Sequence, residues 1–156
     1  MAEIAQPRRV MSGLEYMRKL VAGELEASPM ARLLNIRIVE VDEGRVVVTA
    51  EPTPEFENGL RIAHGGFAAT LLDTALGCAV NSVMPAGKVF TTLEMKINFT
   101  RAVTRQTGTL TCTASIVHAG SRTATAEGRI VDAAGNVCAH GTATCILFRD
   151  TTTEES

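Results

Sequence analysis

Residues 64–84 read HGGFAATLLDTALGCAVNSVM. After the two glycines, Phe67 to Met84 is apolar almost all the way round and contains no proline, which marks a helix buried on most of its sides. Its length would also suit a lipid bilayer. Asp73 sits in the middle, however, with Thr70, Thr74, Asn81 and Ser82 around it, and no second hydrophobic segment accompanies it. A core helix is therefore expected, with no membrane partner.

Working outward, Val10, Leu14, Met17, Val21 and Leu25 fall at spacings of three and four, which predicts an amphipathic helix over 10–27. Ser28-Pro29 reads as an N-cap followed by proline at the first position of a short helical turn through Leu34. Ile36, Ile38 and Val39, then Asp42-Glu43-Gly44, then Val46 to Val48 predict two strands and a tight turn. Pro52 and Pro54 end that hairpin and open a loop, Glu55 to Ala63. Beyond Pro85-Ala86-Gly87, Leu93, Met95, Ile97 and Phe99 alternate with Thr92, Glu94, Lys96 and Asn98. Leu110, Cys112, Ala114 and Ile116 alternate in the same way. Gly120-Ser121 and Ala133 to Asn136 read as turns into Thr123–Val131 and Val137–Phe148.

Such alternation belongs to an antiparallel sheet with one face on the core. One long apolar helix and five to six strands have an economical solution in an α+β fold whose curved sheet wraps the helix, the hotdog architecture. Periodicity alone also permits other α+β arrangements. The expected organisation is an N-terminal helical extension over 1–32, the wrapped-helix domain over 33–149, and a disordered polar tail over 150–156.

Composition removes several function classes. A length of 156 residues suits one domain, and 46% hydrophobic with 21% charged residues is ordinary for a globular chain. A formal charge of −2, with no Trp and one Tyr, offers neither a basic face nor stacking platforms for nucleic acid. Cys78, Cys112, Cys138 and Cys145 form no CxxC pair, and His64, His118 and His140 have no metal-ligand spacing, so no metal is expected. The cysteines read as small buried hydrophobes of a reducing cytoplasm, and no apolar run follows Arg8 and Arg9 to make a secretory signal.

Three residues are candidates for chemistry. The opening N–H groups of a helix lack internal partners and carry partial positive charge, and glycine lets a ligand approach closely. The Gly65 N–H therefore suits a carbonyl oxygen that becomes negative in a transition state, although a plain loop-to-helix junction looks the same in sequence. Asp73 is a carboxylate in an apolar helix: either it is catalytic, or it bonds neighbours such as Thr70 or Thr74 and locks the helix. Asn58 is either a second donor beside Gly65 or a turn residue before Gly59. Gly65 and Asp73 are eight residues apart, about 12 Å along one helix. One reacting carbon cannot touch both, so a shared reaction needs two antiparallel copies of the helix and hence a dimer.

Asn58-x5-His64-Gly65-Gly66-x6-Asp73, followed by Thr92-x-Glu94-Met95-Lys96-Ile97-Asn98-Phe99, resembles the hotdog acyl-CoA thioesterases. The groups concerned are the PaaI-type enzymes of phenylacetate metabolism and the 4-hydroxybenzoyl-CoA thioesterases, and the likeness runs from about Leu33 to Phe148. The resemblance implies hydrolysis of an acyl- or aryl-CoA in the cytoplasm by a homodimer or homotetramer. No cofactor is implied beyond the CoA of the substrate. It assigns Gly65 and Asn58 to the thioester oxygen, His64 to steadying the loop, and Asp73 of the other subunit to attack or water activation. Thr92 would help position water, and Ser121, Arg122 and Arg101, with Arg105 as a further cation, are candidates for CoA. Two other readings stand beside this one. One is a hotdog enoyl-CoA hydratase or dehydratase using a His-carboxylate pair; the other is a non-catalytic acyl-CoA-binding regulatory domain.

Overall fold

The computed structural model describes residues 10–149. The expected tail, 150–156, lies outside the described residues, as do the first nine residues of the expected extension. The elements in order are α1 (Gly13–Val21), α2 (Pro29–Leu33), β1 (Arg37–Asp42), β2 (Arg45–Ala50), α3 (Gly65–Ser82), β3 (Lys88–Phe99), β4 (Leu110–Ala119), β5 (Thr123–Val131) and β6 (Val137–Arg149). All six strands join one antiparallel sheet in the order β1-β2-β4-β5-β6-β3. The chain thus leaves β2, runs through α3, and lands with β3 on the far edge. The sheet wraps α3 in the expected hotdog manner.

The helix explains the curl. Leu71, Leu72, Ala75, Leu76, Ala79 and Val80 are fully buried. Facing them are small residues, Ala114 on β4, Ala124 and Ala126 on β5 and Ala143 on β6, all buried. At two neighbouring positions even alanine is too large. A Cβ on Gly128 would come 3.1 Å from Leu72 Cδ1, and one on Gly141 would come 3.1 Å from Leu72 Cδ2 and collide with the Lys96 carbonyl. Leu72 therefore sits in a notch between two paired glycines, contributing about 1.5–3 kcal/mol through its burial.

Two expectations shift. The first helix is shorter than 10–27. Ser12 caps it, its side chain accepting from the Glu15 N–H at 3.2 Å, and Gly23 at φ 74° turns the chain out of it. Its inward face is Gly13, Tyr16 and Met17, the last 1% exposed, whereas Val10 is 80% exposed. Gly13 packs directly on the Asn81 carbonyl of α3, so α1 docks on the far end of the core helix.

The second shift is in β3. The strand begins at Lys88, and its register against β6 slips between Thr92 and Glu94. This bulge turns Leu93 outward, 57% exposed, while Phe90 and Thr92 before it and Met95 and Ile97 after it face inward. Phe99, expected on the inner face, is 55% exposed.

Gly141→Ala forces a methyl group into the Lys96 backbone, so we expect a loss of about 1–3 kcal/mol in denaturant unfolding. Gly59→Ala, with open space around the added Cβ, should stay within about 0.5 kcal/mol.

Candidate active site

Glycine at positions 65 and 66 opens α3, and His64 is its N-cap. The His64 Nδ1 accepts the Gly66 N–H at 2.8 Å, and the His64 backbone N–H donates to the Phe56 carbonyl at 2.7 Å. The two bonds tie the loop before α3 to the first turn of the helix. The Gly65 N–H has no acceptor among the described residues. It is an orphan donor at a positive helix end. A Cβ on Gly65 would lie 3.2 Å from Phe99 Cζ, so the ring of β3 covers this turn closely.

Asn58 makes the turn that its sequence context allows, and one atom of its amide is left over. Its Oδ1 accepts the Leu60 N–H at 2.8 Å, making a tight turn. Its carbonyl accepts from Arg61, a residue held at φ 58°. The side-chain Nδ2 has no partner among the described residues and is available to donate. Asn58, Gly65, Phe99, Arg101 and Val103 line one recess of about 360 Å³. The turn and the donor use different atoms of the same amide.

Asp73 lies elsewhere. Its Oδ1 accepts the Thr92 hydroxyl at 3.0 Å, and it lines a cavity of about 490 Å³ between α3, α1, α2, β1 and β3. Of the two helix hydroxyls considered as its partners, Thr70 is turned instead to the Gly66 carbonyl at 2.9 Å. Thr74 lines the Asp73 cavity. The walls include Met17, Leu20, Ile36, Ile38 and Phe90, so the N-terminal helices cover this cavity as well as packing on the domain. Phe90, Gly77, Cys78 and Asn81 were not singled out for a site, although Gly77 and Asn81 stand one and two turns beyond Asp73 on the same helix.

The two cavities share no lining residue. Within one chain, the donors stand at and before the N-terminus of α3, whereas the carboxylate stands at its middle. The CoA candidates also divide. Arg101 lines the recess with Asn58 and Gly65. Ser121 and Arg122 stand at the β4–β5 turn, where the Lys88 Nζ reaches the Ser121 carbonyl at 3.4 Å and Leu147 donates to the Arg122 carbonyl. Arg105 is paired with Glu57 at 3.1 Å. His118 and His140 are exposed on β4 and β6, and no histidine lines the Asp73 cavity. Cys112 is fully buried, and burial pushes its thiol up to about 12, which makes it inert packing.

Comparison with known proteins bears on this geometry. The model of the thioesterase superfamily matches residues 60–139. The chain is 36% identical over 107 residues to the acyl-coenzyme A thioesterase PaaI of Escherichia coli K12, covering 69% of this chain and 74% of that one. It is 32% identical over 100 residues to the 1,4-dihydroxy-2-naphthoyl-CoA hydrolase of Listeria monocytogenes, covering 64% and 79%. The solved structure of E. coli PaaI, a protein of the phenylacetic acid degradation operon, superposes with a TM-score of 0.77 at 30% identity, covering 88% of this chain and 96% of that one.

His64→Ala removes the acceptor for the Gly66 N–H and should cost about 1 kcal/mol in urea unfolding, which His64→Asn largely restores.

Proposed function

The chain belongs to the thioesterase superfamily and is a thioester hydrolase; from that premise we propose that its substrate is an acyl- or aryl-CoA, cleaved to free acid and CoA at sites shared by two subunits. The observation that carries this reading is the separation of a donor recess from a carboxylate cavity along one rigid helix. The Gly65 N–H and Asn58 Nδ2 bind the thioester oxygen as it gains charge. Asp73 of the partner subunit either attacks the carbonyl carbon, forming an anhydride that water then opens, or takes a proton from the water that attacks. Either route releases CoA as the thiol and the acid as its carboxylate. Thr92 holds Asp73 in place through Oδ1.

The exposed edge supplies the symmetry. β3 ends the sheet, is twelve residues long, and offers Leu93 and Phe99 to solvent. A long edge strand offers its unpaired backbone N–H and C=O groups as a template for pairing. Thr92 marks the position of Asp73 and Phe99 that of Gly65. Antiparallel pairing of two β3 strands that sets Thr92 against Phe99 of the partner subunit centres the twofold between Met95 and Lys96. The same register sets Arg101 against Phe90 of the partner subunit. Phe90 pairs with Leu147, which is bonded to Arg122. The divided CoA candidates, Arg101 from one chain and Ser121-Arg122 from the other, then meet at one end of the seam. The dimer is the working unit, and the family resemblance extends it to a tetramer of two dimers.

The hydratase reading needs a histidine with its carboxylate, and no histidine stands in the Asp73 cavity. Against a purely binding role stands the combination of an orphan Gly65 donor, an unused Asn58 Nδ2 and a positioned Asp73. We place the enzyme in the cytoplasm, consistent with four cysteines that form no disulfide. No helix among the described residues is long and apolar enough to cross a membrane.

With acyl-CoAs and a thiol-trapping dye, Asp73→Asn should reduce thiol release to near background, and Asn58→Ala should lower kcat by about 10²–10³. Full thiol release by Asp73→Asn would remove the mechanism. Mixing refolded Asp73→Asn and Asn58→Ala chains should restore about a quarter of wild-type activity, since half the dimers are mixed and each carries one intact composite site. No recovery on mixing would mean that each site is built by one chain.

A further inference from the structure

The cavity that Asp73 lines extends well past the carboxylate. Asp73, Gly77 and Asn81 all line it, so it follows one stripe of α3 for eight residues, about 12 Å of helix rise. Facing this stripe are α1, α2, β1 and the first half of β3. Leu20, Leu25, Ile38 and Phe90 are half-buried, pack against the core and line the cavity. Polar groups line it as well, Thr74 and Thr92 beside Asp73, and Tyr16, Ser28 and Arg37 from the N-terminal elements. Apolar side chains around an open cavity leave surface that an apolar ligand can cover.

The α1 wall is fixed by its first residue. The Gly13 N–H donates to the Met84 carbonyl at 2.8 Å, and a Cβ on Gly13 would collide with the Asn81 carbonyl. Met17 and Leu20 follow Gly13 by four and seven residues, which puts all three on one face of α1. Met17 is buried, whereas Leu20 keeps part of its side chain open. Leu20 is therefore the α1 side chain whose size most directly sets the free space.

We infer that α1 is the specificity wall of the acyl site, with Leu20 setting how much chain fits, and that the substrate is a straight-chain acyl-CoA of medium length. The inference rests on the thioesterase reading above, which brings the reacting carbonyl to Asp73. Arg101, Ser121 and Arg122, the candidates for CoA, stand outside this cavity, so the acyl end is the part that enters it. At about 490 Å³ the cavity is of the size that encloses a whole small ligand, far more than an acetyl group fills. A single ring beside Asp73 covers one turn of the α3 stripe, whereas a flexible chain laid along it covers both. Each methylene that enters is bound before and during reaction alike, so chain length is read in KM and in kcat/KM.

The test uses butanoyl-, octanoyl-, dodecanoyl-, benzoyl- and phenylacetyl-CoA, with thiol release giving kcat and KM for each. Calorimetry with the non-hydrolysable thioether analogues gives Kd independently of turnover. The wild-type protein should favour octanoyl- over butanoyl-CoA about tenfold or more in kcat/KM and in Kd, and should favour it over both aryl substrates. Leu20→Trp fills the α1 side and should bring the octanoyl-to-butanoyl ratio down to about one. Leu20→Ala should move the preference toward dodecanoyl-CoA. Leu14→Trp, on the same helix but outside the cavity, should keep the wild-type ratio. Each ratio compares ligands in one preparation, so partial loss of folded protein cancels. A wild-type preference for an aryl substrate, or an octanoyl ratio within twofold of one, overturns the assignment while leaving hydrolysis intact. So does a ratio that neither Leu20 substitution moves, or that Leu14→Trp moves equally. Absence of thiol release from every substrate would defeat the hydrolase reading instead, and the Kd series would still decide the role of α1.

Discussion

A helix is a ruler, and α3 holds its two chemically distinctive points about 12 Å apart whatever surrounds it. The amide end at Gly65 and the carboxylate at Asp73 cannot meet at one carbon inside a single chain. The wrapped sheet makes that separation permanent, because α3 is held against β2, β4 and β5 along its length and cannot bend toward itself. Each point opens into its own cavity, one near the end of the edge strand and one under the N-terminal helices. On the proposed mechanism, assembly is part of the chemistry.

The edge strand β3 organises what the helix separates. Its Phe99 covers Gly65, its Thr92 holds Asp73 and its Phe90 covers Gly77. A single strand thus touches the amide end, the carboxylate and the floor of the cavity that Asp73 lines. The flank that leaves it unpaired within the chain is the flank free to meet a second copy.

Much of this was legible in the residues. The apolar run from Phe67 to Met84 dictated a buried helix, and the Thr-rich alternations dictated strands, because both follow from periodicity. The Gly65 and Asp73 pair was legible as a distance problem for the same reason. Local pattern was silent where tertiary context decides. The stripe over 10–27 gave a helix but not its inward face, since docking of Gly13 against α3 rotates Tyr16 and Met17 to the core. Sequence proximity offers Asp73 only its helix neighbours as partners, whereas the hydroxyl that reaches it stands 19 positions away on β3. Asn81 looked like one more polar residue in an apolar run, because only burial reveals an amide without a partner.

The extra residue at Leu93 resolves a conflict of parity. In a regular strand, a position facing inward at Thr92 commits Glu94 and Lys96 to the interior. The bulge switches the count, so Thr92 serves the carboxylate and Met95 and Ile97 serve the apolar core. The segment therefore runs in two phases, one reading frame for chemistry and one for packing. A single-residue deletion between them would leave the strand able to satisfy only one. Length, rather than the identity of any side chain here, is what the sequence must preserve at this point.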